Sequence, residues 1–401
     1  MVDSIPIDEP DLLIEGARPL FFARRGFRRR VIPLLAVLVT VTTVLALTGN
    51  LRPPGLPVVE LKGRVASKSA FFRDPEVQRL LIGHRIKVTV DTAGSREIAL
   101  GDLTKYDFVL PSGQPAADHI KAVREAAGEH SVIRLPFTSP IVVAAFRPYA
   151  EALARNHAAR PHLDPASPEP LYYTLVMDEF LKLMRARTTW NDLDIGMDNL
   201  VNGDAVTAYT SNFCESNSSD TFLSQVAYTA SKPDVPTDPA GLEELGRLIK
   251  PMLDFQGHPD SDRFESFVNS NTSVPTPVVY EHQFLDYQLR WKAKNGTPDP
   301  RRVLLYPDNS FVTAPRIISL KPRADELADL LDKDPGLQRR ATELGFQVGL
   351  DSQGRSRLEE HLRAAGLPVP PADNQSRTAP FPPAALETLL HTVAGCTPYT
   401  S

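Results

Sequence analysis

From Val65 onward the chain alternates short β-branched runs with longer stretches of helical period. The first two runs, GRVAS and RIKVTVDTAG, carry Val and Ile with little polar alternation, the pattern of strands buried on both faces. Each ends in small hydroxyl or glycine residues, Ser67-Lys68-Ser69 and Gly94-Ser95-Arg96, of the kind that opens a helix. A third run, YDFVL at 106–110, ends in Pro111-Ser112-Gly113 and leads into an amphipathic stretch from Ala116 to Ala127. A fourth lies within Ser131 to Phe146, where Pro136, Thr138 and Pro140 precede IVVAAF, and we read it as a segment crossing between two lobes. This alternation predicts an α/β protein with a largely parallel sheet. Helix starts that follow neighbouring parallel strands lie side by side at the carboxyl edge, where free N–H groups favour an anion or polar ligand.

A second set of elements comes next. Arg155 to Pro170 reads as a loop, and Leu171 to Ala186 as a helix with Leu171, Leu175, Met177, Leu181 and Met184 on one face. Ala205 to Tyr209 reads as a short strand running into a dense polar loop, Thr210 to Ser219, and then a helix from Thr221 to Ala230. The Ser, Thr and Asn content of that loop exceeds what one helix cap needs. Val278-Val279-Tyr280 is a strand before Glu281 and a helix ending near Trp291. RRVLLYPDNSF and APRIISL then read as strands about a turn at Pro307-Asp308-Asn309, succeeded by helices from Ala324 to Leu331 and Gly336 to Leu344. A Pro-rich tail and a helix from Pro383 to Val393 complete the chain.

The N-terminal pattern differs. Arg24, Arg25, Arg28, Arg29 and Arg30 abut an uncharged run from Val31 to Thr48. At a helical rise of about 1.5 Å its eighteen residues span roughly 27 Å, enough for a bilayer core. The positive-inside rule then places residues 1–30 in the cytoplasm as a tail and the rest outside the cell, held by a single-pass helix over 31–49. A cleaved signal peptide is the alternative, with small residues at Ala46-Leu47-Thr48. Residues 50–60, with Pro53, Pro54 and Pro57, read as a stiff linker.

Composition narrows the remaining choices. With 42% hydrophobic and 23% charged residues, 401 residues suffice for two domains with real cores. A net charge of −5 offers no basic excess, which argues against nucleic acid as a partner. Cys214 and Cys396 have no zinc-type spacing; they either pair in an oxidising compartment or remain free. G-x-S-x-G, H-E-x-x-H and Walker-type motifs are absent from the sequence, as is the S-x-x-K that would give the Ser67-Lys68 pair a hydrolytic meaning. The scattered histidines, among them His84, His119, His157, His162, His258 and His282, read as surface or capping residues, and no metal or cofactor is expected.

The order of these elements resembles the type II periplasmic or extracellular solute-binding proteins, the two-lobed receptors of ATP-driven importers. KGRVASKSAFF, GSREIA, SNSSDTF, VVYEHQFLDY, LLYPDNSF and ATELGFQVG carry the resemblance, over about residues 61–350. It is nearest to molybdate- and phosphate-type binders and to similar domains found beside von Willebrand A modules. The resemblance implies a non-enzymatic α/β protein of two lobes, here 61–140 with 301–350 and 141–300, with 351–401 as a C-terminal extension. A small polar or oxyanion ligand would be clamped between the lobes, and a permease or envelope protein would be the partner. A membrane-held form also leaves room for a sensing or scaffold role.

On matching positions, Ser67, Lys68, Ser69, Gly94, Ser95, Arg96, Ser112 and Gly113 would line the first lobe's edge. Ser211, Ser216, Asn217, Ser218, Tyr280 and Glu281 would line the second. Arg96 and Lys68 favour an anion, whereas Glu281 would favour an amine or hydroxylated ligand, and the residues alone leave that choice open.

Overall fold

The computed structural model describes residues 57–164, 169–254, 263–269, 274–349, 356–371, 375–376 and 381–399. The chain divides between Pro57 and Val58, and every described helix and strand belongs to the second unit. The arginine cluster and the apolar run 31–48 lie outside the described residues, as does most of the expected linker. No helix among the described residues is long and apolar enough to cross a membrane.

The first lobe opens with β1 (Val59–Val65), α1 (Ser69–Arg73), α2 (Pro75–Gly83), β2 (Ile86–Thr92), α3 (Ser95–Leu100), β3 (Phe108–Leu110), α4 (Gln114–Ala126) and β4 (Val132–Arg134). The chain then crosses into the second lobe with β5 (Ser139–Phe146), α5 (Arg147–Arg155), β6 (Ala159–His162), β7 (Tyr172–Leu175), α6 (Met177–Ala186) and α7 (Asn217–Ser231). It continues there through α8 (Pro239–Leu253), α9 (Arg263–Asn269), β8 (Val278–Tyr280), α10 (Glu281–Asn295), β9 (Arg302–Pro307) and β10 (Ser310–Thr313). Residues 314–316 lead back to β11 (Ile317–Ser319), α11 (Asp325–Lys333) and α12 (Pro335–Glu343). The last elements are α13 (Arg357–Ala364), β12 (Gln375–Ser376) and α14 (Pro383–Ala394).

In the first sheet the order is β2-β1-β3-β11-β4, with β1, β2 and β3 parallel and β11 antiparallel to β3. Val65 pairs with both Thr92 and Leu110, so the three parallel strands end level. That level ending brings the loops after them together. One face packs Phe71, Phe72, Val77 and Leu327 against the sheet, the other Ile98, Ile120 and Leu320. The central strands are therefore covered on both sides. β2 departs from that expectation, because it is the edge strand and alternates buried Ile86 and Val88 with exposed Lys87 and Thr89.

The second sheet runs β12-β10-β5-β9-β7-β6, with β8 on β5. Its spine is β5, expected to cross between lobes but buried along its whole length; the proline-bearing crossing is confined to residues 135–138 just before it. β9 and β10 both run antiparallel to β5, so Pro307–Asn309 interrupts the strand without reversing it. Asn309 Nδ2 donates to the Gln225 carbonyl and Thr229 Oγ1, and Asp308 Oδ1 accepts from the Met177 N–H, which hold the interruption in place. Residues 302–313, expected in the first lobe, thus belong to the second sheet. Tyr172–Leu175 is a buried strand between β6 and β9 where a helix is expected, because its apolar positions satisfy both periods. The expected strand at 205–209 is reduced to single bridges, Thr189 with Ala205 and Tyr209 with Pro277. α14 packs its apolar side into the second lobe's core through Leu386, Leu389, Leu390 and Val393, so the C-terminal part is integral to that lobe.

Candidate functional site

The site is the seam where the loops after β1, β2 and β3 meet the start of α7 and the end of β8. At Gly94 a Cβ would overlap the Glu215 carbonyl oxygen, and at Gly113 it would overlap the Asn217 side chain. Glycine is required at both positions by this close approach of the two lobes. The Arg96 N–H donates to the Glu215 carbonyl across the seam at 3.4 Å. Asn217 Nδ2 reaches the Ser112 carbonyl at 3.4 Å and the Tyr280 hydroxyl at 3.3 Å.

Hydroxyl groups line this junction, but few of them cap helices as expected. Ser67 Oγ and Ser112 Oγ are 2.6 Å apart, and the Ser112 N–H donates to Ser95 Oγ at 3.0 Å. Only Ser216 acts as a cap, accepting from the Ser218 N–H at 3.4 Å, while its hydroxyl also meets that of Ser218 at 2.8 Å. α1 and α3 are five and six residues long, too short to add a substantial dipole, so side chains carry the chemistry here. Ser69 is buried at the first turn of α1, and Ser211 is half-buried at the start of the polar loop.

Lys68 is the unusual member. Its side chain is fully buried, with Nζ 2.8 Å from the Tyr280 ring centroid and 3.0 Å from Ser67 Oγ, to which it donates. No carboxylate pairs with it among the described residues, and burial pushes its pKa well below the usual lysine range. His282, expected at the surface or as a cap, lies beside it, buried and stacked on Phe346 at 3.9 Å, with Nδ1 3.0 Å from Ser139 Oγ. Burial first, and then the neighbouring Lys68, hold this imidazole well below its ordinary pKa. A groove of about 730 Å³ runs past Lys68 and His282 between α1, α10 and α12, lined by Arg73, Arg290 and Arg340 and by the acids Asp74, Glu265, Asp286 and Glu343.

Arg96 is occupied from within. Its guanidinium makes a two-pronged pair with Glu387 of α14, at 2.5 and 2.8 Å, and donates to the Thr397 carbonyl at 2.7 Å. The Tyr399 ring lies 4.3 Å away and stacks on His119 at 4.5 Å. Cys214 and Cys396 form a disulfide that joins this C-terminal segment to the polar loop. Glu387 escapes a reading of the sequence by motif, although it is the one acid in the apolar helix PAALETLLHTVA. Asp220 is a second such residue, buried in the first turn of α7. Burial raises its carboxyl pKa well above the ordinary value, Arg96 opposes that shift and Glu387 adds to it.

Glu281 points away from the junction. Its carboxylate accepts from the Tyr306 hydroxyl and from Gln347 Nε2, both at 2.8 Å. Burial raises its pKa to about 7, with those two hydrogen bonds opposing. An acid whose folded pKa is raised contributes stability that is full below its unfolded value of 4.5 and is lost as pH climbs through about 7. Glu281→Gln should therefore remove a fall in stability between those limits, at up to about 1.4 kcal/mol per pH unit. Urea unfolding of wild type and variant at several pH values reads the difference, and parallel curves would refute it.

Together these contacts define a two-lobed α/β protein with a closed, donor-rich seam that buries the Lys68 side chain. Among the described residues no group of three His, Cys, Asp or Glu is placed to hold a metal.

No protein-family model matches the chain. No curated protein matches it either. Solved structures do. The sulfate-binding protein SubI from Mycobacterium tuberculosis H37Rv is 13% identical, with 82% of this chain and 96% of that one covered and a TM-score of 0.45. Iron-bound HitA from Pseudomonas aeruginosa is 12% identical, covering 84% and 97%, with a TM-score of 0.48. The substrate binding protein of an ABC transporter from Agrobacterium tumefaciens is 9% identical, covering 85% and 96%, with a TM-score of 0.49. Likeness at this level assigns the chain no ligand.

Proposed function

We propose that this chain is a membrane-anchored, extracytoplasmic solute-binding protein of the type II periplasmic-binding kind, near the molybdate- and phosphate-type branch. It would clamp a small anion between its lobes for uptake or sensing. The observation that carries this reading is Lys68, a fully buried lysine side chain with no acid partner among the described residues. It is set among donors from both lobes: Ser67, Ser112, Asn217 and Tyr280. A buried cation with no counter-charge is costly, and an entering oxyanion or carboxylate would remove that cost. Glu281 is turned toward Tyr306 and Gln347 and forms no ion pair with Lys68.

The anchor is the apolar run 31–48 behind its arginines, and the Cys214–Cys396 disulfide supports an oxidising location for residues 58–401. The three core clusters lie within 58–401, so that fragment carries its own cores. Its thermal unfolding, scanned against sulfate, phosphate, molybdate, short carboxylates, amino acids and sugars, tests the reading. At one hundred times its dissociation constant an anion should add about 2.7 kcal/mol of stability. Silence across the panel would reject a receptor role. It would favour a second reading, an anchored envelope-assembly or scaffold module, which draws support from the chain's own C-terminal segment lying in the seam.

A further inference from the structure

Arg96 belongs to the first lobe, yet the groups that satisfy it come from the far end of the chain. Glu387 stands on α14, which packs in the second lobe's core. Beyond α14 the chain turns at Gly395, at φ +68°, and runs back over Arg96 without regular structure. Three fixtures hold it there. Cys396 is bonded to Cys214, the Tyr399 N–H donates to Glu387 Oε2 at 2.9 Å, and the Thr397 carbonyl accepts from Arg96. Tyr399 is thereby packed against two side chains of the first lobe, the Arg96 guanidinium and the His119 imidazole.

We propose that residues 387–399 are a tethered occupant of the seam, a latch that holds the two lobes shut and whose anchor is the Cys214–Cys396 bond. Cys214 lies one residue before Glu215, whose carbonyl accepts from the Arg96 N–H. The disulfide therefore binds the tail to the very loop that forms the other half of the seam. It fixes Tyr399 three residues from a covalent anchor, which keeps its local concentration at Arg96 high. Reduction by a phosphine breaks the S–S bond, leaves a thiol on each cysteine and converts the phosphine to its oxide with oxygen from water. The tail then keeps its hydrogen bonds to Arg96 and Glu387 but loses its covalent anchor, and the seam opens more often.

The latch needs no ligand, so its failure and that of the receptor role are distinguishable. Hydrogen exchange read by mass spectrometry on the full chain in detergent micelles tests it. Four samples are compared: oxidised wild type, phosphine-reduced wild type, Cys214→Ser/Cys396→Ser, and Tyr399→Ala with the disulfide intact. In the last three, peptides covering 94–113 and 212–219 should exchange at least tenfold faster, while β5 peptides around Val142–Ala145 keep their protection. Unchanged exchange at the seam in both the reduced protein and Tyr399→Ala would overturn the latch. Equal loss of protection in β5 would overturn it too, by showing a general brace rather than a closure of the seam. Tyr399→Ala removes one half-buried ring and leaves the disulfide in place, so it reports even where the double cysteine variant fails to fold.

Discussion

Arg96→Met should lower the stability of the 58–401 unit by about 3–5 kcal/mol, the usual cost of breaking a buried ion pair from one side. Arg96 is 2% exposed and the Glu387 side chain 11%, so removing the guanidinium strands a carboxylate that water barely reaches. Glu387 would keep only the Tyr399 N–H, and the Thr397 carbonyl would lose its donor. The cation–π contact of the guanidinium with the Tyr399 ring goes as well. Arg96→Met/Glu387→Leu should recover most of the loss, since removing both charges leaves neither one uncompensated. The loss has a ceiling. Once it exceeds the free energy of opening the seam, the protein sheds the burial by parting its lobes rather than by unfolding. Urea denaturation of the four members of this cycle, read beside seam hydrogen exchange, separates the two routes. A single variant that loses less than about 1 kcal/mol with its seam still protected would contradict the role given to this pair.

How far the sequence reveals this arrangement depends on the range over which each feature is encoded. The loops at Ser67–Ser69, Gly94–Arg96, Ser112–Gly113 and Ser216–Ser218 are legible because each ends or opens a strongly patterned element. A parallel sheet brings such loops to one edge, and here Gly94 meets Glu215 and Gly113 meets Asn217. What those side chains then touch is not legible. Arg96 finds Glu387 at a separation of 291 residues, and nothing local distinguishes a guanidinium that will bind solute from one that will bind the chain's own tail. Glu281 comes directly after Tyr280, yet a change from strand to helix between them sends one side chain to the junction and the other to Tyr306. Tyr172–Leu175 fails for a different reason. Four residues are too few to separate a period of 2 from one of 3.6 when apolar neighbours continue into α6.

Lys68→Met should do two opposite things, raise stability and weaken anion binding. The ammonium is held against the Tyr280 ring with one hydroxyl acceptor, which is less than water offers it, so burial disfavours the charged form. Replacing it with an apolar chain of similar length should stabilise the unit by about 1–3 kcal/mol at neutral pH. The pH dependence has a fixed sign. A base whose folded pKa is depressed lets the unfolded chain bind the extra proton, so wild-type stability rises with pH through the window that ends near the ordinary lysine value of 10.5. The advantage of the variant should therefore shrink as pH approaches that value. Binding runs the other way, because an oxyanion at this position returns to Lys68 the counter-charge that burial denies it. Losing that partner should weaken affinity by about 100-fold or more, in line with 2–5 kcal/mol for a buried charge pair. Calorimetric titration with whichever anion shifts the unfolding of wild type provides the measure. A variant that binds as tightly as wild type would remove Lys68 from the site, and a variant less stable than wild type would show that the ammonium is satisfied as it stands.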